Sequence, residues 1–198
     1  MAELMPTPDA APSHRLGARP ALGARAQELF EELCPYRGDG LRNHCLRVFH
    51  FTTLLLERRR QKADPDLLYA LAMIHDLGLL CPGEQGGDYM QRSRSLFHRA
   101  FAAKSFELSP YDLRVADECL LYNHRLRPTP ALCPESTAFR QSVWMDHSLG
   151  VRRYDLDAAS VRDGFTRHPR GDFNAVLLDF ARRVLTREPW TLVDGIFM

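Results

Sequence analysis

From about residue 21 onward the apolar residues recur at three- and four-residue intervals almost without a break. That period is the strongest limit on what the chain can fold into, because it is the period of a helix with one buried face. Runs of this kind lie near residues 22–33, 41–61, 65–77, 91–107, 110–124, 136–149, 157–167 and 172–187. No segment alternates as a strand does, and no repeat or second domain boundary is visible. The expected fold is therefore all-α, a single-domain helical bundle over residues 21–198. Residues 1–20, with Pro6, Pro8, Pro12 and Pro20, read as a mobile Pro/Ala-rich leader. Asp64-Pro65 and Ser109-Pro110 each set a capping side chain before a proline at the first helical position. Gly78 is expected to stop the third helix, and residues 78–90, rich in Gly and Pro, to form a long loop suited to a lid or rim.

The chain of 198 residues is long enough for a real core, with 45% apolar and 26% charged residues. Its 26 basic and 25 acidic side chains leave a formal charge of +1. Such a balance argues against a nucleic acid polymer or an acidic membrane surface as partner. The five cysteines are scattered and form no C-x-x-C pair, as expected of a reduced, cytoplasmic protein. No secretory signal is visible, and the longest apolar run, residues 67–74, is too short to span a bilayer. Exposed helix faces leave homo-oligomerisation open.

Polar residues interrupt the apolar faces at a few places. His44 shares a stripe with Val48, Phe51 and Leu55. His75 follows Leu68, Leu71 and Ala72, and Asp76 comes next, where an apolar helix ends. His124 shares a face with Leu113, Asp117 and Leu120, and Asp146 with Phe139 and Val143. His98 is followed at helical spacing by the small residues Ala102 and Ser105. A lone histidine on an apolar face is most often a hydrogen-bonded core residue. Five helices each aiming one or two such groups inward point instead to a shared site. Imidazole and carboxylate together suit one or two divalent ions of Zn, Fe, Mn, Co or Ni, and a cysteine-rich structural zinc site is not expected.

At these residues the chain resembles the HD-domain superfamily of metal-dependent hydrolases. The likeness rests on Asn43-His44-x-x-Arg47-Val48, His75-Asp76-Leu77-Gly78 and Trp144-Met145-Asp146, and covers about residues 22–187. It implies a helical bundle in which His44, His75, Asp76 and Asp146 hold one metal in the core. The runs His98–Phe106 and Leu120–His124 look like elements of those members that bind a second metal, which would be held by Asp76, His98 and His124. The stretches Trp144–Gly150 and His168–Phe173 are similar to the cyanamide-hydratase-like branch, whose single metal serves the addition of water to a small nitrile. Leu79 and Leu80 stand where some members carry an acidic or lysine residue after the doublet, so no general base carries over.

The activity implied is that of a metal-dependent phosphohydrolase acting on a small anionic metabolite or nucleotide. The alternatives are a mixed-valent di-iron oxygenase cleaving a C–C or C–P bond, a nitrile hydratase, and a non-catalytic ligand sensor. Asp76, Arg47 and His147 are the candidate catalytic residues, His147 as a proton shuttle. Arg47, Arg125, Arg127 and Lys104 are candidates for reading substrate charge, and Tyr89 for a contact at the rim. Motifs for a serine nucleophile, a P-loop or a dinucleotide fold are absent, so water is the expected nucleophile.

Overall fold

A computed structural model describes residues 22–81, 87–102, 106–127 and 132–192. Among them are eight α-helices and no strand: α1 (Leu22–Leu33), α2 (Gly40–Arg58), α3 (Pro65–Ile74), α4 (Tyr89–Phe97), α5 (Pro110–Tyr122), α6 (Pro134–His147), α7 (Ala158–Arg167) and α8 (Phe173–Arg187). Each corresponds to one of the periodic runs, and the chain is all-α. No helix among the described residues is long and apolar enough to cross a membrane.

The α2 helix is the axis of the bundle and packs against α3, α6, α7 and α8. Its stripe of His44, Val48, Phe51 and Leu55 is fully buried, as the spacing requires. Toward its N-terminal end, Leu41, Cys45 and Val48 join side chains of α3, α4, α5, α6 and α8 in the main core. Toward its C-terminal end, Phe51, Leu55 and Leu56 pack with Leu68, Ala138, Met145 and Val161 in a second cluster. Gly40 lets α2 begin against the start of α8, since a Cβ there would lie 2.3 Å from the Phe173 nitrogen. The Gly40 N–H donates to Asp172 at 2.8 Å, which fixes that junction.

Both expected proline-led caps are present. Asp64 accepts from the Asp66 N–H, and Ser109 forms a reciprocal capping box with Asp112. Gly78 acts differently from the expected helix stop. The α3 helix already ends at Ile74, and Gly78 lies within a short 3-10 turn, Leu77–Leu79. Its missing side chain matters for close approach. A Cβ would fall 2.0 Å from the Tyr89 carbonyl oxygen, and its N–H donates to Ser93 Oγ at 2.9 Å. The chain turning out of His75-Asp76 is thereby held against α4. The helix expected over 91–107 is shorter, because at His98 it widens into a π turn, His98–Ala102. The leader at 1–20, Pro82, Gly83 and Gly86 of the loop, and Lys104 and Ser105 lie outside the described residues, as does the Ala102 side chain.

Candidate metal centre

His44 on α2, His75 and Asp76 at the end of α3, and Asp146 at the end of α6 meet in the core, each 3% exposed or less. His75 Nδ1 lies 2.8 Å from the Ala72 carbonyl, which can only accept, so this nitrogen carries the proton and donates. His44 Nδ1 lies 2.6 Å from Asp146 Oδ2, a carboxylate oxygen that also only accepts. In their neutral forms both rings turn unprotonated Nε2 atoms toward each other at 3.1 Å. Asp76 Oδ2 completes the triangle, 3.5 Å from His44 Nε2 and 3.3 Å from His75 Nε2.

Three acceptors at that spacing repel one another unless a positive charge lies among them. The edges suit a metal, since bonds of about 2.0–2.1 Å place neighbouring ligand atoms roughly 2.9–3.4 Å apart. A proton on His44 could serve the triangle alone. Burial disfavours that proton, but the Asp146 and Asp76 carboxylates outweigh burial and raise the pKa of His44. Even so, Asp76 Oδ1 is buried without a hydrogen-bond partner among the described residues. The C-terminal ends of α3 and α6 both face the cluster, and helix C-termini favour positive charge. These residues fit a divalent ion. His44, Asp146 and His147 form a second close group of donors.

Asp146 is heavily engaged. Its Oδ1 accepts from Arg47 Nε, and its Oδ2 faces both His44 and Arg170 Nη1, the latter at 3.3 Å. In this arrangement it orients the His44 ring and fixes its tautomer, as carboxylates beside metal-bound histidines commonly do. Burial would raise its pKa, but His44 and Arg47 hold it well below the usual carboxylate range. Asp76 is likewise held low against burial, by the surrounding imidazoles of His75, His44 and His124.

Two of the three Arg47 nitrogens are engaged, and the third, Nη2, is buried with no hydrogen-bond partner among the described residues. The side chain is fully buried, binds Asp146, donates to the His168 carbonyl at 2.6 Å, and lies between the Phe165 and Phe173 rings. It is a positioning residue for Asp146. Arg125 stacks on Tyr122 at 4.4 Å, and Arg127 is exposed; neither lines the cavity beside the cluster. Lys104 lies outside the described residues.

The structure does not bring His98 to the cluster. Its Nε2 lies 2.6 Å from Asp117 Oδ1, and Arg94 grips the same carboxylate. The π turn beginning at His98 breaks the helical register that was to point it inward. His124 does arrive, and Tyr89 arrives with it. Rather than marking a rim, Tyr89 is 3% exposed, with its hydroxyl 2.7 Å from His124 Nδ1. Burial, reinforced by Asp76, raises the pKa of this phenol, so it keeps its proton. With the phenol as donor to Nδ1, the His124 proton lies on Nε2. His98, held by Asp117, stands apart, so the six residues read from the sequence do not all come together among the described residues.

His147 stands beside His44 and His124, with ring centroids 5.4 and 5.2 Å away. Its Nε2 has no partner among the described residues. Burial, then the neighbouring His124 and His44, pushes its pKa well below the ordinary value, so it is neutral at pH 7.

Three contributors escaped the sequence reading as site residues: Tyr89 as the partner of His124, Arg170, and Phe173. The Phe173 ring stacks on His44 at 4.3 Å and 11°. The latter two belong to the His168–Phe173 stretch singled out for its hydratase-like pattern, and that pattern was the available signal. This stretch closes one side of the cluster. The His168 and Pro169 carbonyls accept from Arg47 and Asn43, and Arg170 Nη1 donates to the Asp146 carbonyl at 2.9 Å.

On the other side, α8 covers a cavity of about 270 Å³. Asp76, His124 and His147 supply its polar end, while Leu79, Phe180, Val184 and Leu192 are among its apolar walls. Against this geometry, no family model matches the chain and no curated protein matches it.

Proposed function

We propose that this chain is an HD-type, metal-dependent enzyme that adds water to a small molecule at a single divalent ion. The observation that carries this reading is the buried triangle of His44 Nε2, His75 Nε2 and Asp76 Oδ2, three acceptors with edges of 3.1–3.5 Å. Their donor chemistry suits Zn, Fe, Mn, Co or Ni. An ion bound there would polarise a substrate and bring the pKa of a coordinated water toward neutrality.

The surrounding residues have distinct tasks in this reading. Asp146, locked by Arg47, holds His44 in the ligating tautomer. His124, set by Tyr89, offers an N–H to the substrate at the polar end of the cavity. His147 offers an unpartnered nitrogen to the proton that the water gives up. The α8 helix lines one side of the cavity, with Phe180 and Val184 buried toward it. Two features favour one ion over two: His98 is committed to Asp117, and the stretch resembling the single-metal hydratase branch borders the cluster.

The test is metal analysis of protein purified without oxygen. One ion per chain is expected, lost in His75→Ala and kept in His98→Ala, with hydration or hydrolysis of small substrates that depends on the ion. Two irons per chain with substrate-dependent oxygen uptake would replace this reading by the oxygenase. A protein that binds no metal in any preparation would refute it.

A further inference from the structure

Resting on the reading of the cluster as a metal site, we infer that the substrate is a small molecule with an apolar tail, its reacting group turned toward Asp76, His124 and His147. The lining of the cavity carries the inference. Its three polar residues are one carboxylate and two imidazoles, and the described residues contribute no lysine or arginine to its wall. The remaining walls are hydrocarbon and the Trp144 ring, from the 3-10 turn, α6, α8 and the segment after it.

A charged tail entering here would shed its hydration against hydrocarbon walls that offer it no partner, which is strongly unfavourable. Three nearby cations have other partners, and Arg187 borders the neighbouring pocket, not this one. Arg47 holds Asp146, while Arg92 and Arg183, in a neighbouring pocket that shares Leu79, hold Glu188 and Asp179. An apolar tail instead gains by leaving water, and a small pocket with few convergent polar groups is the usual form of such a site. At about 30 Å³ per water-sized group, a cavity of about 270 Å³ takes on the order of nine non-hydrogen atoms. That is one polar head and a chain of about six or seven carbons.

The test is an NMR titration of the full chain, first metal-free and then loaded with zinc, using unbranched primary amides from acetamide to octanamide. Each methylene buried in an apolar wall contributes about 0.8 kcal/mol, so affinity is expected to rise about fourfold per carbon and to level near seven carbons. Ala181 is exposed on α8 at the edge of the cavity, so Ala181→Trp fills the space without entering the core. This variant should abolish the length dependence while leaving metal stoichiometry unchanged. A series without length dependence would overturn the inference. If the length dependence holds but no ion binds, the metal reading fails and the cavity assignment stands. If an ion binds and the series is flat, only the substrate class fails.

Discussion

Replacing Asp146 by asparagine separates the two tasks assigned to this residue. The carboxylate faces three donors, Arg47 Nε–H at one oxygen and both His44 Nδ1–H and Arg170 Nη1–H at the other. Asparagine has a single carbonyl oxygen, so at least one donor must face its amide NH2. If the oxygen stays with Arg47, His44 has to accept at Nδ1 and carry its proton on Nε2. That proton points at His75 Nε2, 3.1 Å away, and occupies the place assigned to the metal. Loss of such an orienting carboxylate typically weakens metal binding about 10- to 100-fold. Arg47 and Asp146 are both fully buried, and removing one charge of a buried pair costs about 3–5 kcal/mol. For a chain of this size that corresponds to a fall in melting temperature of roughly 6–20 °C. The assay is metal titration together with denaturant unfolding of the metal-free protein. The double variant Arg47→Met with Asp146→Asn should recover much of the stability, since no unpaired charge is left, but none of the metal affinity. A single variant that loses less than about 1 kcal/mol and binds metal normally would refute the argument.

Gly78→Ala should destabilise the protein by about 1–3 kcal/mol in denaturant unfolding, because its Cβ meets the Tyr89 carbonyl and the Ser93 nitrogen, which are backbone and cannot swing aside. Tyr89→Phe should leave one ion bound per chain but free the His124 tautomer, read as a change in its ring nitrogen-15 shifts; an unchanged spectrum would sink the assigned proton positions. Acidification should weaken the metal-free protein. Burial holds the pKa of His124 down to about 4, so between its ordinary value of 6.5 and that point the unfolded chain binds a proton that the folded one refuses. This contribution is present above pH 6.5 and is lost as pH falls, on the order of 3 kcal/mol by pH 4. His44, with a raised pKa, acts oppositely: its contribution is full below pH 6.5 and fades as pH rises through its folded value. Unfolding midpoints measured from pH 7 to pH 4 that stay level would contradict the burial of His124.

The helices and the inward placement of His44, His75, Asp76 and Asp146 could be read from the chain because both follow from local information. A residue three, four or seven positions from a buried one shares its face, and a proline after Asp64 or Ser109 marks a helix start wherever the helix packs. Helical spacing gives the direction of a side chain but not what stands opposite. His98 meets Asp117, Tyr89 meets His124 and Arg47 meets the His168 carbonyl, across 19, 35 and 121 positions. Those encounters decide which histidine keeps a free nitrogen and how far an arginine is already engaged. They also place Arg47 and Tyr89 in the core and not at an open rim. The sequence by itself determined an all-α bundle and the His/Asp set in its core, since periodicity acts within each helix. Only the packing of α8 over Asp76, His124 and His147 decided that the adjoining cavity is apolar, because a wall belongs to several elements at once and to no single stretch of chain.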